Sequence, residues 1–160
     1  MKLSGEWRMI NESKSRNPVD VEFLAGALGL IVKKAHLKSD IAGMMEKYED
    51  TYLLTVNADD SVNRQRFTIA HEIGHYMLHR HVIGDGLTDD RAYRCMHDSK
   101  YFNAKIGPKE ETEANKFAAT LLMPYSTVKK EWLTNQHTVE TMAVKYGVSK
   151  AAMAIRIKSI

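Results

Sequence analysis

RFTIAHEIGHYMLHRH, Arg66 to His81, packs four histidines and a glutamate into the eleven residues from His71 to His81. Within it His71-Glu72-Ile73-Gly74-His75 matches H-E-x-x-H. On a helix, positions four apart lie about 40° apart in rotation and one turn along. Both imidazoles can therefore reach one ion at the short Zn–N distance. Glu72 lies about 100° from His71, beside the open coordination position, the place of a general base. Ile69, Ile73, Tyr76 and Met77 make one apolar side, and Phe67 and Leu78 flank the histidines on the other. A helix apolar on both sides is buried. Buried His71, Glu72 and His75 would need partners, and a metal supplies one.

A catalytic zinc takes three protein ligands and keeps one position open. His81 stands where the longer pattern H-E-x-x-H-x-x-G-x-x-H puts a third histidine. That pattern needs a glycine where this chain has Leu78, which favours continuing the helix, so His81 is set aside. His79, one turn beyond His75, reads as a supporting or surface residue. KEETEANKFAATLLMP, Lys109 to Pro124, offers a better third ligand. On a helical projection Glu111, Asn115, Ala118 and Leu122 share one stripe, with Ala114 and Ala119 at its margins. Ala70 and Gly74 line one side of the first helix in the same way, so the two helices can approach closely. Glu111 is the expected ligand, and Asn115 the partner that fixes a ligand histidine's tautomer. Glu113 shares its side with Lys116 and Thr120 and reads as solvated. Glu110 reads as a first-turn acid favoured by the helix dipole.

Working outward, residues 1–16 are polar and patternless, a flexible N-terminal arm, and residues 17–160 form a single domain. Asn17-Pro18 opens a helix with Val21, Phe23, Leu24, Ala27 and Leu28 on its apolar side and a stop at Gly29. LIVKKAHL (30–37), 41–47 and TYLLTV (51–56) read as strands, with a turn near Tyr48-Glu49-Asp50, predicting a small, mostly antiparallel sheet. Helices are predicted from about Val62 to His79 and from about Lys109 to Met123, the second stopped by Pro124. The segment from Val82 to Lys109 is long and weakly patterned, as functional loops are. Residues 137–160 carry two short helical patterns broken at Tyr146-Gly147-Val148-Ser149, a helix-turn-helix-like arrangement.

The length, 160 residues, suits one domain with its own core. The net charge of +3 neither demands nor excludes a nucleic-acid partner. The basic residues of the C-terminal segment, Lys145, Lys150, Arg156 and Lys158, are scattered, which argues against a phosphate track. No apolar run approaches a membrane span, MKLSGEWRMI has no apolar signal region, and the one cysteine, Cys95, points to a reducing compartment. The expectation is a cytoplasmic protein. Cys95 and His97 are spaced as a loop metal pair, but a lone cysteine near a histidine carries no weight by itself.

RQRFTIAHEIGHYMLHR followed by ETEANKFAATLLMP, with YGVSKAAMAIRI at the end, resembles the ImmA/IrrE family of zinc metallo-endopeptidases, from about Asn17 onward. The resemblance implies an α+β zincin-like fold, zinc as cofactor, His71, His75 and Glu111 as ligands, and Glu72 as base. It also implies a protein partner, a helix-turn-helix repressor or antitoxin. Tyr93, His97, Tyr101 and Tyr125 are all open as donors to the oxyanion. The rival reading is a regulatory or toxin-type zinc protein of a toxin–antitoxin pair that binds its partner without general proteolysis.

Overall fold

The computed structural model describes all residues except Met1, Val82, 84–91 and 97–105, and describes residues 2, 3 and 92–96 by their backbone alone. The chain is α+β. In order its elements are α1 (Lys2–Ser13), α2 (Val21–Ala27), β1 (Leu30–Ala35), β2 (Ile41–Tyr48), β3 (Thr51–Asn57), α3 (Val62–His79), β4 (Ala92–Met96), α4 (Pro108–Leu122), α5 (Tyr125–Trp132), α6 (Val139–Tyr146) and α7 (Lys150–Lys158). None of the described helices is long and apolar enough to cross a membrane.

Among the described residues the strands form one sheet in the order β1-β3-β2-β4. β2 pairs antiparallel with both β3 and β4, whereas β1 runs parallel to β3, Leu30 opposite Tyr52 through Ala35 opposite Asn57. The sheet is therefore mixed. A tight turn joins β2 to β3, with Glu49 at φ 53°, where the sequence expects it. β4 lies inside the stretch expected to be loop, and it forms one edge of the sheet.

The centre of the molecule is α3. Its Ile69, Ile73, Tyr76 and Met77 are buried in a core shared with Met45, Leu54 and Val56 of the sheet and Leu121 and Leu122 of α4. Tyr76 meets Tyr52 edge-on at 5.1 Å between ring centroids. Burying one such side chain stabilises by about 1.5–3 kcal/mol, so this helix is held by packing on several sides and not by propensity. Ser61 caps its start, its hydroxyl accepting from the Arg64 amide.

Two features at the N-terminus depart from the expectation. Residues 2–16 are not a loose arm. α1 is a helix whose Ile10 is fully buried, and Trp7 packs edge-on against Phe117 at 6.1 Å. Glu6, also buried, accepts from both terminal nitrogens of Arg80 at 3.1 and 2.8 Å and from the Tyr76 hydroxyl at 3.3 Å. These partners lie some seventy residues away, so local pattern gives no sign of them. The next helix starts at Val21 with Asp20 as its cap, and Asn17-Pro18, a cis peptide, lies outside it.

At the other end α6 and α7 are joined by a left-handed turn at Gly147, φ 62°, a conformation that favours glycine. Arg66 of α3 donates to the Gly147 carbonyl at 3.0 Å, tying the turn to the central helix. Ser149 caps α7 as its position suggests. α5, between α4 and this pair, has no counterpart in the sequence reading.

Candidate metal centre

The sequence singles out two helices, and the fold packs them side by side. A Cβ placed on Gly74 would lie 3.1 Å from the Phe117 ring and 3.2 Å from both the Cα and the carbonyl oxygen of Ala114. Glycine inside a helix costs about 1 kcal/mol against alanine, so its place here is explained by the approach of the two backbones. That approach lets the short side chain of Glu111 reach across to α3.

Three buried groups converge. His71 Nε2 and His75 Nε2 lie 2.9 Å apart. Glu111 sets Oε2 at 3.3 Å from the first and Oε1 at 3.3 Å from the second. All three ligand atoms fall within 4.8 Å of one another.

The outer nitrogens fix the tautomers. His71 Nδ1 lies 2.9 Å from Asn115 Oδ1, an acceptor, so Nδ1 carries the proton and Nε2 keeps its lone pair. His75 Nδ1 lies 3.1 Å from His79 Nδ1, while His79 Nε2 lies 2.9 Å from Glu113 Oε2. A neutral His79 donates from Nε2 to that carboxylate and accepts at Nδ1. His75 then donates from Nδ1, and its Nε2 also presents a lone pair. Two hydrogen-bonded chains thus aim two imidazole lone pairs and a carboxylate at one point, a donor set that suits zinc.

The charges agree. Burial, with the neighbouring His71, pulls His75 down to about 4, against the pull of Glu111, so its imidazole is neutral near pH 7. Burial would raise Glu111, but His71 and His75 outweigh it and hold the carboxyl at about 2. Neutral imidazoles and an ionised carboxylate are the ligating forms.

Glu72, buried like Glu111, differs from it in partners and charge. It is fully buried, and neither oxygen has a hydrogen-bond partner. Burial pushes its pKa up to about 8, with Glu111 adding and His71 opposing. An unsatisfied buried carboxyl costs stability, and such groups gather at working sites.

The site reading needs one correction. Glu113 is not simply a solvated acid: half-exposed, it bonds buried His79 and so acts on His75. Its signal lay in the pairing of His79, one turn past His75, with an acid two residues past Glu111. Glu110 serves the cap, accepting from the Gly107 amide at 2.9 Å. His81 is exposed beyond the end of α3 and stands outside the cluster. Of the oxyanion candidates, Tyr125 is part-exposed on α5 beneath the Lys129 ammonium. The side chains of Tyr93 and Cys95, and all of His97 and Tyr101, lie outside the described residues.

Residues 30–158 match the peptidase family described as the IrrE N-terminal-like domain. The chain is 26% identical over 141 residues to an uncharacterized immunity region protein 2 of Bacillus phage phi105, covering 88% of this chain and 79% of that protein. It is 30% identical over 92 residues to metallopeptidase ImmA of Bacillus subtilis (strain 168), covering 54% of this chain and 46% of ImmA. A solved Mycobacterium tuberculosis transcriptional regulator has a similar fold, with a TM-score of 0.63 at 19% identity, covering 98% of this chain and 46% of that one. This chain therefore spans a little under half the length of the last two.

Proposed function

From the premise that this chain belongs to the ImmA/IrrE family of metallopeptidases, we propose that it is a zinc-dependent endopeptidase of zincin-like fold that cuts a specific protein partner. The observation that carries the reading is the pair of hydrogen-bonded chains that leave both Nε2 lone pairs facing Glu111.

His71, His75 and Glu111 would hold the ion. Bound there, zinc supplies Lewis acidity, lowering the pKa of water toward neutrality and polarising a carbonyl oxygen. Glu72, one position along from His71, has two carboxyl oxygens free for the reaction, and the positive charge of a bound ion would favour its ionised form against the burial that raises its pKa. It accepts a proton from the attacking water as the water oxygen joins the carbonyl carbon, and returns it to the amine nitrogen as the C–N bond breaks. β4, at the sheet edge, can offer main-chain groups to an extended peptide.

The partner in this reading is a helix-turn-helix repressor or antitoxin. The phage relative is an immunity region protein, and a regulator of immunity as target fits that relationship. The C-terminal helices support a protein over a nucleic acid. Lys145 pairs with Glu131 at 3.0 Å and Lys150 pairs with Glu140, which takes up part of the positive charge that phosphates would need.

The test is to incubate the zinc-loaded chain with the regulator encoded beside its gene. Discrete cleavage that disappears with a chelator and in Glu72→Gln is expected. A partner that binds but stays intact would replace this reading with the binding-only one.

A further inference from the structure

A groove of about 920 Å³ runs between the start of α3, the outer side of α4 and α7. Its wall comes close to the metal centre without including the ligands: Asn115, which bonds His71, is part of it, and Phe67, 6.4 Å from the His71 ring, lines it too. Apolar side chains, among them Phe67, Met123 and Ile155, line it, and Ile155 stands 71% exposed at its edge. The charged residues that line it are all cations, Arg64, Lys116 and Arg156, with no acid among them. Arg64 and Arg156 each carry a buried Nε–H with no hydrogen-bond partner. A buried donor left unpaired costs about 1–3 kcal/mol, and a carboxylate seated in the groove would give these two guanidinium groups an acceptor.

We infer that this groove is the binding site for a peptide segment of the substrate, one that presents an aliphatic side chain to the groove floor and a carboxylate to Arg64 and Arg156. The inference rests on the peptidase reading and names the substrate class of the same site. A nucleic-acid strand fits less well, because the wall beside the cations is apolar and Lys145 and Lys150 are already paired.

The test separates binding from turnover. Zinc-loaded full-length Glu72→Gln is titrated with three fluorescent heptapeptide amides, Ala-Ala-Leu-Xaa-Leu-Ala-Ala, where Xaa is Glu, Gln or Lys. The Glu peptide is expected to bind on the order of tenfold more tightly than the Lys peptide. The preference should vanish in Arg64→Gln/Arg156→Gln at unchanged zinc content. Ile155→Asp, at an exposed position with little bearing on folding, should weaken the Glu peptide most. Equal binding of the three peptides, no binding by any, or a preference that survives both arginine changes overturns the inference. So does a short DNA duplex that displaces the peptide and loses affinity in the same double variant. Cleavage of the Glu peptide by the parent chain is scored separately: Glu72-dependent cleavage without charge preference removes the groove assignment and keeps the peptidase.

Discussion

His79 Nε2 lies 2.9 Å from Glu113 Oε2, a bond from the far end of α3 to the first half of α4. Through it the proton on His79 is held on the side away from His75, and His75 keeps a lone pair for the ion. Removing the relay should therefore weaken the metal without touching a ligand. His79→Ala is expected to lower zinc affinity about 10–100-fold, with Glu113→Gln losing less because its amide oxygen still accepts. Competition against a chromogenic chelator measures both. Affinity equal to the parent in His79→Ala would show that the relay does not set the tautomer.

The closeness of α3 and α4 makes a second prediction. Gly74→Val would push branched carbons into the Ala114 backbone, which has no flexible end to yield. Overpacking of this kind costs about 1–3 kcal/mol. It should also draw Glu111 away from the histidines, so zinc affinity falls with the melting temperature. Gly74→Ala should show the same pair of effects, smaller. Loss of stability with unchanged zinc affinity would separate helix spacing from ligand placement.

Arg80 anchors α1 through Glu6, which is buried and also bonded by Tyr76. Arg80→Ala leaves that carboxylate short of charge-assisted partners, at a cost of about 1.5–3 kcal/mol by denaturant unfolding. Limited proteolysis should then cut first within residues 2–16. If α1 is a loose arm after all, stability will not change.

Alkaline stability should report Tyr146. Burial foremost, then the neighbouring Glu131 charge, pushes its phenol up to about 12. Between about 10 and 12 the unfolded chain ionises this group while the native chain keeps it neutral. The native state then binds more protons, so stability falls as pH rises: the contribution is complete below about 10 and lost through about 12. At fixed zinc load, Tyr146→Phe should flatten this part of the unfolding profile. An unchanged slope would place the alkaline loss elsewhere.

Most of the candidate site was legible because helices are local. The spacing of His71, Glu72 and His75 is a statement about one turn of α3, and the small residues Gly74 and Ala114 carry the approach of a second helix. Asn115 followed from the same projection. What sequence left unread depends on distant partners. Nothing near Glu6 announces Arg80, and the offset of Glu113 from Glu111 points to His79 only once the two helices are laid together. The parallel β1–β3 pairing was hidden for a related reason, since strand direction is set by how β1 returns to the sheet and not by the residues in it. β4 escaped because a single short strand amid glycines and charges has little period to detect.

Zinc affinity of Glu111→Gln set against that of Glu72→Gln tests the central claim most directly, because the two acids are both buried beside the same histidines and are assigned opposite duties. The account predicts that Glu111→Gln loses at least about 100-fold in affinity, whereas Glu72→Gln binds one zinc per chain as tightly as the parent. Equal loss in the two variants, or full retention by Glu111→Gln, would contradict it.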